Sequence, residues 1–375
     1  MNRLYRYDFL GYIFFAIIIL WGVPALMGFD AFELNTFARY LTLAMVAIAL
    51  ALSWGTAGIL NLGQAVTFGM GAYIMAMHLK LRASEFNPGG MPDFMGWTNV
   101  PELPWFWEPF HSLTFTLIGG FAIPAAVAGL LGVFMFRGRV TGVFVAIIML
   151  ALLVAVRLII IGAQAYTGGF NGITGLAQLN LLGWSINNYS LDFYYLVAGC
   201  LIAALLVAAV VARSKAGLIL RAINEDKHRV RFFGYDVARY EIAVFSLSAA
   251  IAGWAGMLYV LVLEFASPQF MSVAFSLAIV IWVAVGGRES LLGAAIGAIL
   301  VNLAEGRLSD VFVDGWLLIL GLSFILFVLF LPRGLYGLLR DLQDRLSEVI
   351  RRGRKVRTDA AQEDAQGNAH KEPAQ

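Results

Sequence analysis

Long apolar runs, separated by short polar segments, follow one another along most of this chain. Several runs reach the roughly 20 residues that a helix needs to cross the ~30 Å hydrocarbon core of a bilayer. The runs predict ten spans, at residues 9–27, 40–54, 65–79, 113–136, 142–163, 193–212, 240–262, 273–286, 291–304 and 314–332. A membrane β-barrel would instead show short segments of alternating hydrophobicity. We therefore expect an all-α, polytopic transmembrane helical bundle in which several helices are short or broken.

Composition supports a membrane protein and narrows its chemistry. Hydrophobic residues make up 60% of the chain and charged residues only 13%, about half the charged fraction of a typical soluble domain. The single cysteine, Cys200, excludes an intrachain disulfide. No Cys/His cluster suggests a metal site. We expect no metal, no cofactor and no nucleic-acid partner, whereas membrane lipid is an expected partner.

Lysine and arginine are unevenly distributed among the connections, and this predicts the orientation. They are concentrated in the connection 213–240, at Arg137 and Arg139, and in the tail after residue 332, whereas residues 164–193 contain none. Connections rich in Lys and Arg face the cytoplasm. Ten spans satisfy all of these signs when both termini are cytoplasmic.

The pattern also divides the chain. A transmembrane domain covers residues 1–335, with an external loop at 80–112 and a cytoplasmic loop at 213–240. Leucines at helical spacing, with Arg and Asp between them, predict a basic amphipathic cytoplasmic helix at 336–356. The composition of residues 357–375 is typical of a disordered tail.

The stretch SWGTAGILNLGQAVTFGMGAY, from Ser53 to Tyr73, interrupts an apolar region with glycines and amides. Irregular backbone at membrane depth survives only inside protein or beside water, and broken helices there commonly build a transport site. We expect a break at Gly55, Gly58 and Gly63. Asn61 and Gln64 are candidate groups along a solute path. The alternative is a tight helix-helix seam of small residues.

Two further segments repeat this theme. VAVGGRESLLGAAIGAILVN, at residues 283–302, predicts a second break, with candidate glycines at Gly286, Gly287 and Gly293. YTGGFNGITGL, at residues 166–176, predicts a rim or re-entrant loop at the outer surface, or else an ordinary external turn. Its candidate solute-path residues are Gly168, Gly169, Asn171 and Thr174.

Arg157 is the basic residue placed well inside a predicted span. Such residues are costly in hydrocarbon and often functional. Arg157 lies about two turns from the outer end, so its side chain can also reach the interface as a structural anchor. We keep it as a solute-path candidate beside that interpretation.

The sequence bears differently on the possible function classes. No HExxH, nucleophile motif or intramembrane carboxylate pair indicates an enzyme. A proton-coupled carrier normally holds buried Asp or Glu, and the predicted spans have none near their centres. This argues for an energy source outside the chain, although a passive solute channel fits the composition equally well.

The connection RSKAGLILRAINEDKHRVRFFGYDVARY, residues 213–240, predicts a short amphipathic helix followed by a stop. Such a helix can dock a motor subunit on the cytoplasmic side, or bind anionic lipid at the membrane surface. The residues expected to couple it to an ATPase are Gly217, Arg221, Ala222, Glu225 and Gly234.

Several stretches resemble the permeases of ABC importers for branched-chain amino acids and urea. They are AGLILRAINEDKHRVRFFGYDVARYE with AAIAGWAGMLY, ALSWGTAGILNLGQAVTFGMGAY, VGGRESLLGAAIGAIL and LFLPRGLYGLL, within residues 38–340. Within this family the chain is most similar to the longer of the paired urea permeases, through MPDFMGW, ELPWFWEPF, YTGGFNGITGL and VRFFGYDVARY.

The resemblance implies a subunit without enzyme activity in a heteromeric importer of the bacterial inner membrane. Its expected partners are a second permease subunit, two cytoplasmic ATPases and a periplasmic solute-binding protein. The chain contains no G-x-x-x-x-G-K-[ST] motif, so ATP would be bound by the partners. The resemblance favours urea or a short-chain amide as solute. A branched-chain amino acid is the alternative, and Arg157 would then hold its carboxylate.

Overall fold

The computed structural model of the chain describes residues 11–85, 87, 90–181, 184–311, 321–322 and 334–337. Its long helices are α1 (Gly11–Leu26), α2 (Ala31–Thr56), α3 (Gln64–Ala83), α5 (Leu113–Arg137), α6 (Val143–Gly162), α8 (Leu191–Arg213), α11 (Val237–Leu263), α12 (Val273–Gly286) and α13 (Leu291–Val311). The shorter elements are α4 (Asp93–Trp97), α7 (Gln164–Thr167), α9 (Lys215–Glu225), α10 (Lys227–Phe232) and the hairpin β1 (Leu179–Leu181) and β2 (Trp184–Ile186).

The predicted fold class, a polytopic helical bundle, is confirmed. Six helices in the described part are long and apolar enough to cross a membrane, and two shorter helices, α1 and α12, are also apolar. Each predicted span up to 291–304 coincides with one of the long helices. The span 314–332 lies outside the described residues except at 321–322, and the predicted helix 336–356 and tail 357–375 lie outside them from residue 338 onward.

Helix α2 begins nearer the N-terminus than its predicted span, 40–54. Asp30 determines the start, because its Oδ1 accepts hydrogen bonds from the backbone N–H groups of Phe32 at 2.8 Å and Glu33 at 3.1 Å. Such a cap satisfies backbone donors that the helix itself leaves unpaired. The first turns therefore form on a polar stretch that hydropathy alone does not assign to a span.

Helices α2, α3 and α11 form the centre of the bundle, and α5 packs against α11 with much of its own surface exposed. In the most apolar 18 residues of α2, 89% are buried, whereas the corresponding share in α6 is only 22%. Many large apolar side chains of α5 and α6 are exposed, among them Phe134 and Phe144. In a membrane-spanning bundle such outward-facing apolar surface contacts lipid, so α6 is a peripheral helix and α2 a central one.

Glycines allow α3, α5 and α11 to touch backbone to backbone. A Cβ at Gly71 of α3 would lie 1.9 Å from the carbonyl oxygen of Gly253 in α11. A Cβ at Gly256 would lie 1.9 Å from the carbonyl oxygen of Phe68 in α3, and one at Gly253 would lie 2.4 Å from that of Gly120 in α5. Small residues at such positions permit close helix packing where no hydrophobic driving force exists between helices.

Candidate functional site

The first broken segment joins α2 to α3. A π-helical turn, Leu52–Thr56, ends α2, and residues 58–61 are neither helix nor strand before a turn leads into Gln64. Gly58 has φ +71°, a conformation that favours glycine. The structure thus contains a break at the position that the glycines predicted. Single π-turns inside helices are frequent at functional sites.

Two other parts of the chain close on this break. A Cβ at Gly55 would lie 1.9 Å from the carbonyl oxygen of Arg288, and the Arg288 guanidinium lies over the ring of Trp54 at 5.7 Å from its centroid. A Cβ at Gly58 would lie 2.1 Å from Oδ1 of Asn224, a residue of α9. The break therefore contacts the α12–α13 connection and the cytoplasmic loop at once.

Asn61 and Gln64 belong to one buried hydrogen-bond network. Asn61 Nδ2 donates to Gln64 Oε1 at 2.7 Å, and Asn61 Oδ1 accepts from the Gly63 N–H at 2.9 Å. Gln64 Nε2 donates to both the carbonyl oxygen and Oγ of Ser248 in α11, each at 3.2 Å. The Ser248 hydroxyl in turn donates to the carbonyl oxygen of Ala49 in α2 at 2.6 Å.

This network fastens the break to the neighbouring helices. Asn61 and Gln64 are buried, and their side-chain amides bond to protein groups on both the nitrogen and oxygen sides. Ser276 of α12 adds a hydrogen bond to the free carbonyl of Leu62. Buried polar groups need such partners. In this conformation the two amides hold backbone and helices in place rather than lining an open passage.

The second broken segment separates α12 from α13. Gly287 has φ +109° and caps α12. A Cβ at Gly286 would lie 2.1 Å from the carbonyl oxygen of Gly293, so the two helices meet backbone to backbone at the turn. Arg288, which follows directly, is the residue whose carbonyl lies against Gly55. The structure brings the first and second segments together, a contact that the sequence analysis did not predict.

The third segment forms a compact loop after α6. Gly168 and Gly169 have φ of +77° and +60°, and Gly172 has φ +72°. Backbone hydrogen bonds of 2.9 Å in both directions pair Ile173 with Ala266, the residue near the end of α11. The glycines let this loop turn tightly and dock on the α11–α12 connection, so it is an ordered part of the surface.

A cavity of about 150 Å³ lies between this loop and α4. Its lining combines a carboxylate, amides, hydroxyls and an indole. These side chains belong to Asp93, Trp97, Thr98, Gln164, Asn171 and Thr174. Two of the predicted solute-path side chains, Asn171 and Thr174, therefore share one cavity with part of the external loop, a partner that the sequence did not indicate.

Lys80 of α3 connects the cavity wall to the bundle. Its Nζ lies 2.8 Å from Oδ1 of Asp93 and donates to the carbonyl oxygen of Thr174 at 2.7 Å. The Lys80 residue is only 5% exposed. A buried ammonium needs an opposite charge and hydrogen-bond acceptors, and this lysine has both. The charge that the cavity presents is therefore neutralised at its base.

Arg157 lies apart from the other candidates, on the peripheral helix α6. One guanidinium nitrogen donates to Gln269 Oε1 at 3.1 Å, while its Nε is buried with no hydrogen-bond partner among the described residues. The side chain thus connects α6 to the 3-10 turn Pro268–Met271. It does not join Asn61, Gln64 or Asn171 in a common site.

The candidates form two centres at opposite ends of α3. Gln64 begins the helix and Lys80 lies near its end, so the rise of 1.5 Å per residue separates them by about 24 Å. One centre combines the two broken segments with the cytoplasmic loop. The other combines the loop at residues 166–176 with α4 and Lys80.

The connection 213–240, which the sequence predicts to be cytoplasmic, contains two helices where the sequence predicted one. Ser214 Oγ accepts from the Gly217 N–H at 3.3 Å and begins α9, and a Cβ at Gly217 would lie 2.3 Å from the carbonyl oxygen of Ala212. Asp226 ends α9 and caps α10. Gly234 follows α10 with φ +84°. The glycines at both ends of the loop thus fit the turns that set its shape.

The exposed side of α9 carries three of the five predicted coupling residues. Arg221, Ala222 and Glu225 are exposed, whereas Leu220 and Ile223 are buried against the bundle. This divides the helix into a docked face and a free face. A mixed basic, small and acidic surface is available for a partner, and Asn224, at the end of the helix, contacts the first break.

Two electrostatic features stabilise the loop. Lys227 Nζ forms an ion pair with Glu241 of α11, whose side chain is 2% exposed. Backbone hydrogen bonds from Arg229 and His228, with the Arg229 charge nearby, hold the pKa of the Asp226 carboxyl below its ordinary value. The first feature joins the loop to a central helix, and the second stabilises the start of α10.

Sequence reasoning did not identify Asn224, Glu241, Lys80, Asp93 or Ser248 as parts of these centres. Glu241 carried a signal, because it is an acidic residue at the start of an apolar run. Lys80 and Asp93 carried another, because they are oppositely charged residues of the same predicted external loop, 80–112. Ser248 and Asn224 had none, since their roles follow from contacts between distant parts of the chain. Among the described residues, no group of three or more His, Cys, Asp or Glu could hold a metal ion.

Comparison with known proteins identifies the family of the chain. Residues 33–330 match the family described as branched-chain amino acid transport system / permease component. The chain is 28% identical to the high-affinity branched-chain amino acid transport system permease protein LivM of Escherichia coli over 329 residues, 80% of this chain and 69% of that protein. It is 27% identical to LivM of Salmonella typhimurium over 328 residues, with the same coverage. No solved structure matches the chain significantly.

Proposed function

This chain belongs to the family of branched-chain amino acid transport permease components, and from that premise we propose that it is the membrane-spanning subunit of an ATP-driven ABC importer for urea or short-chain amides. The importer would lie in the bacterial inner membrane, with both termini of the chain in the cytoplasm. The orientation rests on the basic cytoplasmic loops. The choice of solute is based on the cavity between α4 and residues 166–176, which is called the outer cavity below.

The outer cavity is the observation that carries the solute proposal. Most of its wall comes from MPDFMGW and YTGGFNGITGL, with Thr98 and Gln164 beside them. These are two of the stretches in which the chain resembles urea permeases. These stretches are far apart in sequence, yet they line the same space. Segments that distinguish one solute class and converge on one cavity support that cavity as a point of solute contact.

The chemistry of the cavity suits a neutral amide. Urea offers one acceptor and four N–H donors, so it needs mainly oxygen acceptors. Asp93, Asn171 and Thr174 supply side-chain oxygens there. The nearby cation, Lys80, is already paired with Asp93 and a backbone carbonyl. A carboxylate ligand would lack a free positive partner at this point.

A branched-chain amino acid is the second candidate, because the two LivM relatives carry that solute in their names. Arg157 would then be the anchor for the carboxylate. Its Nε has no partner among the described residues, and its one hydrogen bond is to the neutral side chain of Gln269. The position on peripheral α6, away from both centres, favours this role less than the cavity favours an amide.

ATP would act on the chain through partner subunits. The exposed face of α9, with Arg221, Ala222 and Glu225, is the proposed docking surface for an ATPase. We further propose a second permease subunit beside this one, two ATPases in all, and a periplasmic binding protein that delivers solute to the outer face. Movement of α9 would reach the first break through Asn224 and the central helix α11 through Lys227 and Glu241.

Uptake of labelled urea and labelled leucine, in cells with and without this gene and with urease inhibited, tests the solute. We expect ATP-dependent urea uptake at micromolar concentration to be lost with the gene and leucine uptake to be unchanged. The double variant Asn171→Ala, Thr174→Val should lower urea uptake, whereas Ser185→Ala, an exposed change outside the cavity, should not.

The other outcomes separate the alternatives. Loss of leucine uptake alone would assign an amino acid and make Arg157→Gln the next variant to measure. Urea uptake that persists after ATP depletion would indicate a passive channel. If urea uptake depends on the gene but not on Asn171 and Thr174, the cavity has no role in solute passage.

A further inference from the structure

An open cavity of about 290 Å³ lies where α5 ends and α11 begins, beside the cytoplasmic loop. Arg137 and Arg139 line it from the connection after α5, and Arg231 lines it from α10. Tyr235 and Asp236 complete the wall in front of α11. Three guanidinium-bearing residues from two distant parts of the chain therefore border one space, and the two that follow α5 belong to neither centre described above.

The cavity has an excess of positive charge. Within the part of the chain that the structure describes, Arg137, Arg139 and Arg231 make no ion pair, and their side chains make no hydrogen bond. The acidic residue in the wall, Asp236, is paired with Arg239 at 2.8 Å. Guanidinium groups bind phosphate through paired, directional hydrogen bonds. The chemistry therefore favours a phosphate-bearing ligand.

Convergence from two parts of the chain distinguishes these arginines from scattered cytoplasmic charge. Basic residues at cytoplasmic helix ends are common in membrane proteins, so their presence alone indicates little. Arg139 has φ +59° because it closes the end of α5: the Val140 N–H donates to the carbonyl oxygen of Met135 at 2.9 Å, and the Arg139 N–H donates to that of Phe136 at 3.2 Å. The cap fixes the chain direction after α5, and in this arrangement Arg137 and Arg139 border one space with Arg231 of α10.

An apolar stripe on α5 leads to the cavity. Leu130, Phe134 and Arg137 are spaced i, i+4 and i+7, so they lie on one face of the helix. Leu130 is 61% exposed and Phe134 is 71% exposed. Exposed apolar side chains on a membrane-spanning helix face lipid acyl chains. A lipid lying along this stripe would place its headgroup beside Arg137.

We propose that the cavity binds a phosphate group and that this group is the headgroup of an anionic phospholipid of the cytoplasmic leaflet. Free inorganic phosphate shares the headgroup chemistry but has no use for the apolar stripe. The site touches both the end of α5 and α10, so bound lipid would stabilise the cytoplasmic loop against the bundle. The inference rests on family membership and orientation, and it does not depend on which solute the importer carries.

Lipid binding to the full chain, co-expressed with its partner subunits and purified in detergent, tests the proposal. Native mass spectrometry would compare phosphatidylglycerol, phosphatidylcholine and inorganic phosphate as probes. A basic residue near a membrane surface contributes about 1 kcal/mol to anionic lipid binding, which is about fivefold in affinity. We therefore expect phosphatidylglycerol to bind about fivefold more weakly to Arg137→Gln and to Arg231→Gln.

Arg229→Gln is the matched control. It removes one positive charge from the same helix as Arg231, but Arg229 pairs with Asp226 and does not line the cavity. This variant should keep the affinity of the unchanged protein. Arg137→Lys keeps the charge without the planar fork, so it should fall between the unchanged protein and Arg137→Gln.

Four results would overturn the proposal. Equal losses in Arg229→Gln and Arg231→Gln would mean diffuse charge attraction rather than a site. Equal binding of phosphatidylcholine would remove headgroup recognition. Tight binding of inorganic phosphate without a preference for lipid would assign a soluble anion. Unchanged lipid binding in Arg137→Gln and Arg231→Gln, with loss of the ATPase subunit, would assign the surface to a protein partner.

Discussion

The side-chain oxygen of Asn224 occupies the space where any residue other than glycine at position 58 would carry its Cβ, with a separation of only 2.1 Å. Asn224 belongs to α9, in the connection 213–240, and Gly58 belongs to the break between α2 and α3. This contact joins α9 directly to the break. It also makes the break sensitive to single-atom changes on either side.

Gly58→Ala should impair transport and weaken the connection to α9. The added methyl group meets Asn224, and the φ of +71° costs an alanine about 1–2 kcal/mol. Gly58→Ala with Asn224→Ala should recover part of the loss, because it removes the clash but keeps the backbone strain. Solute-stimulated ATP hydrolysis in the reconstituted importer measures the effect.

The control for this prediction is Gly199→Ala, since no atom lies within 4 Å of a Cβ placed there and its backbone is ordinary. It should leave ATP hydrolysis unchanged. If the double variant is as impaired as Gly58→Ala alone, the clash with Asn224 does not cause the defect.

Gln64→Leu should lower the free energy of unfolding by about 1–3 kcal/mol, because it leaves buried polar groups of Asn61 and Ser248 without their partner. A double-mutant cycle with Ser248→Ala should show coupling between the two positions, measured by thermal unfolding in detergent. A fall in urea uptake with no change in stability would contradict the structural role and return the amide to the solute path.

Lys227→Met should destabilise the protein more than Glu241→Gln. The Glu241 side chain is 2% exposed and cannot reach water once its partner is lost, whereas the Lys227 side chain is 24% exposed and can. Breaking a fully buried pair costs about 3–5 kcal/mol. Because Lys227 is partly exposed, we expect Lys227→Met to lower the free energy of unfolding by an amount near the lower end of that range. The double variant Lys227→Met, Glu241→Gln should recover stability, and thermal unfolding of all three tests this order.

Protonation of Asp226 should loosen α10 in acid. Its folded pKa is lowered by the hydrogen bonds it accepts, chiefly from Arg229, so its contribution is present above the unfolded pKa, about 3.9. The contribution is lost as the pH falls through the folded value. Hydrogen exchange of the α10 amides should show reduced protection in that acidic range. Asp226→Asn keeps a capping oxygen but cannot titrate. The α10 amides of this variant should therefore keep the same protection as the pH falls.

Sequence patterns were sufficient for the fold and for the positions of the breaks. Apolar runs located the long helices, and glycines located the turns after α2 and α12. The start of α2 was misplaced because one hydrogen-bonding cap, Asp30, outweighs hydropathy there. The hairpin β1–β2 was missed because its strands are three residues each, too short to give a clear alternating pattern.

The partners within each centre could not be predicted. Gln64 and Ser248 are 184 residues apart in sequence, and only the packing of α3 against α11 brings them together. The same holds for Asn224 and Gly58. Amide side chains in a broken segment fit either contact with solute or hydrogen bonds within the protein. Which role applies depends on whether a hydroxyl or carbonyl from a distant part of the chain lies within hydrogen-bond distance.

The glycine contacts between α3, α5 and α11 limit how the bundle can change shape. Gly71, Gly253 and Gly256 place backbone directly against backbone, so sliding one helix along another would drive carbonyl groups into each other. These three helices should therefore move as a single rigid body during a transport cycle. Alternating access must then come from motion at its edges, where the two breaks act as hinges and the loosely packed α6 can shift through lipid.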